Sequence, residues 1–287
     1  MGDFFVLALS AGTPFILASL GEIFSQKSGV LNIGIEGMML IGALAGFSVA
    51  HHSGSPWIGL VGGVIAGSLA GLIHGFLSIT LMAPQVISGM ALTIFGFGIT
   101  SFLGKPFLGL PATSFETSIL GVTPPVIIAL ALIPLSVFIL TKTRFGIHIR
   151  AVGEYPEAAD SAGVNVSLIR YLCVLIGGGM AGLSGAYLSL AYSPMWREGM
   201  TAGRGWIALS LVFFSMRKPI FALLGAIFFG ALWILQFKLQ GLGFGVSPYL
   251  LMMIPYASTI LVLSLLSSER IRGRIGVPEA LGKPYLR

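Results

Sequence analysis

The chain has 287 residues, 55% of them hydrophobic and only 9% charged. So much apolar surface excludes a soluble domain and requires helices immersed in lipid. The formal charge of +6 does not indicate nucleic-acid binding, because the basic residues lie in loops between apolar stretches and near the C-terminus, where they orient a membrane protein.

Nine helical segments are predicted, near 4–23, 31–50, 57–81, 85–103, 125–141, 170–192, 203–216, 219–236 and 248–267. The fold class is therefore an all-α polytopic membrane protein, with 1–287 forming one transmembrane domain. Within it lie a polar loop over 143–168 and a basic tail over 268–287. Asp3 is the only charge before the first segment, which reads as a retained span rather than a cleaved signal.

The second segment opens irregularly. Residues 28–37 (SGVLNIGIEG) place Asn32 and Glu36 among three glycines. A carboxylate near a span is costly and is a functional candidate; the alternative is a local cap or a pair with Lys27. Asn32 lies one turn earlier on the same face. The helix at 57–81 carries Gly59, Gly63, Gly67, Gly71 and Gly75, a stripe that lets a neighbouring helix approach closely. Gly42 with Gly46, and Gly178 with Gly182, repeat the spacing. His74 on the same helix either bonds across to a neighbour or meets substrate. Gln85 follows Pro84 at the start of its span.

The stretch 142–170 is the one strongly polar region inside the chain. Pro156 suits a first helical position, Glu157 its positive end and Gly163 its stop. A helix of about seven residues is too short to hold alone, so it needs a partner's groove or folds back on the membrane face. Cys173, the single cysteine, falls in a span and reads as a packed thiol.

Segment 203–216 (GRGWIALSLVFFSM) is short for a full crossing. Arg204 and Trp206 at its start either hold a polar planar ligand or anchor the interface. Both short stretches lead into a proline and then a Gly-rich helix. That is the pattern of an inverted repeat whose broken helices meet at a substrate site, or of two hairpins alike by composition.

Placing 142–170 inside puts Lys27, Lys142, Arg144, Arg150, Arg170, Arg217, Lys218, Arg270, Arg272, Arg274, Lys283 and Arg287 in the cytoplasm. Lys105, Arg197, Arg204 and Lys238 are left outside. The bias sets the N-terminus outside and the C-terminus inside. No GxxxxGK[ST] loop, HExxH or Cys/His cluster occurs, so the sequence carries no apparatus for ATP hydrolysis and no metal motif.

Four stretches together resemble a known family: GEIFSQKSGVLNIGIEGMMLIGALAGF at 21–47, QVISGMALTIFG at 85–96, RAVGEYPEAADSAGV at 150–164 and GRGWIALSLVFFS at 203–215. They are similar to permease subunits of bacterial ABC importers of the branched-chain amino acid and ribose class, in the nucleoside branch associated with basic-membrane-protein lipoproteins. Tyr155 and Thr93 stand where that branch leads us to expect Asn. The resemblance implies a non-catalytic subunit in the bacterial plasma membrane. It implies a second homologous permease, an external substrate-binding lipoprotein and a cytoplasmic ATPase with two nucleotide-binding halves that carries the ATP and Mg. This chain would hold no cofactor. Arg150, Glu154, Pro156, Ala158, Ala159 and Gly163 would couple to the ATPase. Asn32, Glu36, Gln85, Arg204 and Trp206 would line the substrate pathway. The same machine for a sugar or a branched-chain amino acid stays open. An ion-driven carrier is disfavoured, since only Glu22 and Glu36 come close to its requirement for paired intramembrane acids.

Overall fold

The computed structural model describes residues 2–116, 121–241, 247–266 and 276–286. Their regular elements are helical apart from isolated bridges joining Leu108 to Trp196 and Pro111 to Met195. In chain order the α-helices are α1 (Gly2–Lys27), α2 (Ile35–Ser53), α3 (Pro56–Gly75), α4 (Gln85–Leu103), α5 (Pro124–Lys142), α6 (Arg144–Glu154), α7 (Pro156–Ser161), α8 (Val166–Tyr187), α9 (Arg204–Phe214), α10 (Pro219–Gly241), α11 (Pro248–Met252) and α12 (Ile254–Leu266). A wide turn over Phe76–Thr80 extends α3, and one over Leu188–Tyr192 extends α8.

Among the described residues, six helices are long and apolar enough to cross a bilayer, while Arg204–Phe214 and Leu250–Val262 are shorter. The elements differ from the sequence reading in several places, among them the following. The first helix continues to Lys27, and the second begins only at Ile35. The segment near 248–267 breaks at Met253. The polar stretch is itself largely helical, because α6 precedes the short α7. Of the basic tail, 268–275 and Arg287 lie outside the described residues, among them Arg270, Arg272 and Arg274. Residues 276–286 fold back on the bundle. The Ala280 amide donates to Gly153 O at 3.0 Å, the Gly282 amide to Gly29 O at 3.1 Å, and Arg170 Nη1 to Lys283 O at 3.3 Å.

Helices α1 and α8 form the centre. The Ser184 hydroxyl donates to Pro14 O at 2.8 Å and the Tyr187 hydroxyl to Ser10 O at 2.9 Å, so the two run antiparallel. Helix α3 packs on α8, and α10 packs on α1; α2 lies against α8, and α9 against α1. The contacts of α2 and α3 on α8 thus have counterparts in those of α9 and α10 on α1, across two antiparallel central helices, although α9 packs far less on α10 than α2 does on α3.

Close approach of backbones holds these pairs. A methyl on Gly71 would sit 2.8 Å from Val174 O, and one on Gly63 would sit 2.5 Å from the Ala186 methyl. Gly59, Gly67 and Gly75 are buried on the same face of α3. On the outer face, Ile94 is 71% exposed and Phe102 70%, the apolar surface that lipid or another membrane subunit covers.

Candidate functional site

Two irregular stretches lie against the bundle's interior, before α2 and before α9. Backbone that leaves a helix at membrane depth must find partners within the protein. Residues 28–34 find them on three helices. Gln85 Oε1 accepts from the Leu31 amide at 2.7 Å, and Glu22 Oε1 accepts from the Asn32 amide at 3.1 Å. His74 Nε2 lies 3.2 Å from Leu31 O and Nδ1 lies 2.9 Å from the Ser88 hydroxyl. Asn32 Oδ1 accepts from the Gly34 amide at 2.9 Å, and its amide nitrogen sits 3.3 Å from Met38 Sδ.

The second stretch directs three donors to one carboxylate, while Arg204 and the Tyr256 hydroxyl hold its carbonyls. Glu36 Oε1 accepts from the Thr201 hydroxyl at 2.6 Å and the Gly203 amide at 2.7 Å, and Oε2 accepts from the Gly205 amide at 2.6 Å. Residue Gly203 at the start of α9 has φ +76 and no capping side chain of its own. Glu36 fills that role from α2, with its charge at the positive end of α9. A Cβ on Gly205 would stand 2.7 Å from the Glu36 backbone nitrogen, so only glycine admits this contact.

Glu36 is 1% exposed and Asn32 0%. Neither Lys27 nor Arg204 forms an ion pair with Glu36 among the described residues. Arg204 Nη1 instead donates to Met200 O at 3.1 Å and Thr201 O at 3.2 Å, and its guanidinium lies 4.0 Å from the Trp233 ring and 5.5 Å from the Tyr192 ring. The structure thus joins Glu36 to the start of the segment bearing Arg204 and Trp206, and joins Asn32 to the loop held by Gln85. Gln85 Nε2 has no hydrogen-bond partner among the described residues. Trp206 is 39% exposed, the most accessible of the five.

Sequence reasoning missed Thr201 and a chain of buried polar groups below the first break. Gln26 Nε2 donates to Glu22 Oε1 at 3.0 Å, and Arg217 Nε donates to Gln26 Oε1 at 2.9 Å. Two polar residues four apart near the end of an apolar span, Glu22 and Gln26, were the available signal.

In the polar stretch, α6 leads into α7 through Tyr155, which is 65% exposed. Glu154, Glu157, Ala158 and Gly163 are exposed. Gly163 has φ +84 and its amide donates to Asp160 O at 2.8 Å. Ala159 and Pro156 face inward. Ala159 belongs to a buried cluster with Val152, Val166 and Ile169, so its small size serves the protein's own core. The exposed Arg150 donates to Leu140 O.

Comparison with known proteins places this architecture. The family described as branched-chain amino acid transport system / permease component matches residues 4–263. TsgC13 of Haloferax volcanii, provisionally named a glucose ABC transporter permease protein, is 40% identical over 97% of this chain and 96% of its own length. The guanosine ABC transporter permease protein NupQ of Bacillus subtilis is 36% identical, covering 96% of this chain and 93% of NupQ. The nucleoside ABC transporter permease protein NupC of Lactococcus lactis is 31% identical, covering 96% and 94%. No solved structure matches the chain. The chain belongs to this family of ABC transporter permeases.

Proposed function

We propose that this chain, as a member of that family, forms half of a membrane pathway for nucleosides and is driven by a separate ATPase. The similarity to NupQ and NupC over nearly the whole chain carries the substrate class. A monosaccharide is the second reading, favoured by the similarity to TsgC13. The outer apolar faces meet lipid and a second permease, and an external lipoprotein delivers the solute.

The pathway reading rests on the two broken stretches. Asn32, Glu36, Gln85 and Arg204 shape them, and Trp206 offers an aromatic face on which a planar base can stack. Glu36 ties the halves together, so movement of one stretch reaches the other.

The orientation reading rests on the distribution of charge. Lys27, Arg150, Arg217 and Lys218 gather at one end of the bundle, and Lys238 sits 4.7 Å from the Phe4 ring at the other. The first end is cytoplasmic by the positive-inside rule, which puts α7 on the ATPase side. Pro156 and Ala159 anchor α7, Ala158 lies on its outward face, and Glu154 and Gly163 are exposed on either side of it.

The test is ATP-dependent uptake by the transporter reconstituted with its ATPase, second permease and lipoprotein. Uptake of labelled guanosine is expected, suppressed by excess unlabelled nucleoside and not by glucose. Suppression by glucose alone would replace the nucleoside reading with the sugar one. Ala158→Arg is expected to abolish uptake with the chain still in the membrane; unchanged uptake would remove α7 from the coupling role.

A further inference from the structure

At the basic end of the bundle, α1, α5, α6 and α10 enclose an open cavity of about 480 Å³. Four cationic side chains line it: Lys27, Arg150, Arg217 and Lys218. Arg217 is the decisive one. It is 1% exposed, its Nε is occupied by Gln26, its guanidinium lies 5.2 Å from the Phe213 ring, and Nη1 and Nη2 have no hydrogen-bond partner among the described residues. A buried guanidinium with its fork unpaired is costly unless an anion completes it. Glu22 and Glu154 are the nearby carboxylates. Neither is within ion-pair distance of Lys27, Arg150, Arg217 or Lys218 among the described residues.

The backbone sets this arrangement. Met216 and Arg217 have φ +49 and +55, a conformation that L-residues adopt at a cost. It turns the chain between α9 and α10 and brings Arg217 back against α1, where it reaches Gln26.

The rest of the wall is apolar. Val137 and Leu140 of α5 face Ile220 and Phe221 of α10, and Ile220 is 55% exposed and Phe221 44%. A free anion would leave these side chains bare. A phospholipid would meet both halves of the cavity, with phosphate on the cations and acyl chains on the apolar wall. We propose that this cavity is a binding site for an anionic phospholipid. The proposal is independent of the solute carried.

The test is native mass spectrometry of the full-length chain, purified within its transporter and exposed to phosphatidylglycerol, phosphatidylcholine or inorganic phosphate. Wild-type protein is expected to retain phosphatidylglycerol and to lose phosphatidylcholine in the same wash. Lys218 is exposed, so Lys218→Gln leaves packing intact. It should weaken phosphatidylglycerol retention about fivefold, the effect of one cation beside an anionic headgroup. Lys238→Gln at the other end should not change it. Equal retention of the two lipids by the wild-type protein would overturn the site, and so would phosphatidylglycerol retention unaltered by Lys218→Gln. Displacement of the lipid by millimolar inorganic phosphate would identify a free-anion site and overturn the lipid assignment.

Discussion

The two broken stretches solve one problem in opposite ways. Before α2, the backbone groups freed from helix bonding are shared among Glu22, His74 and Gln85 from three helices. Before α9, Glu36 alone accepts from Thr201, Gly203 and Gly205. Mostly neutral bonds spread over several elements tolerate the loss of one, since each contributes only about 1 kcal/mol. Charge-assisted bonds gathered on one carboxylate do not. The first stretch is therefore the sturdier one, and the second depends on the first half of the chain for its anchor.

This contrast breaks most sharply at Glu36. Glu36→Gln keeps the shape but turns one acceptor into a donor facing a donor. A loss of about 3 kcal/mol in unfolding free energy is expected, seen as earlier thermal unfolding in detergent. A loss no greater than that at the first stretch would erase the asymmetry. At that first stretch, Gln85→Leu removes the partner of the Leu31 amide and should cost about 1–2 kcal/mol in the same assay; an effect equal to that of Glu36→Gln would mean the load is not shared. The smallest effect on stability is expected at Trp206, which bonds neither stretch. Trp206→Ala should leave unfolding within about 1 kcal/mol of wild type. It should lower nucleoside uptake about tenfold, through lost stacking worth roughly 1–3 kcal/mol. Normal uptake would leave Trp206 an interface anchor.

Much of this was legible in the sequence. Helix lengths follow from apolar runs, and the glycine stripe of α3 marks a close-packed face. Glu36 stood out as a carboxylate beside a span. Its partner did not, because Thr201, Gly203 and Gly205 lie more than 160 residues away and no local rule links them. Lys27 was the charged choice, yet a hydroxyl and backbone amides at a helix start satisfy Glu36 without it. The burial of Ala159 was equally hidden: small residues serve a partner's groove and a protein's own core, and the sequence does not separate the two. Arg217 read as one of the cytoplasmic basic residues, and the turn that buries it depends on two residues with positive φ that no composition signals.

The central claim is that α9 is held from the other half of the chain by the Glu36 carboxylate. A double-mutant cycle between Glu36→Gln and Thr201→Val, followed by unfolding of the purified protein, tests it most directly. The two losses should fall short of additivity by about 1–2 kcal/mol, because each substitution breaks the same 2.6 Å bond. Fully additive losses would contradict the claim and leave α9 held by packing and by the Arg204 and Tyr256 bonds.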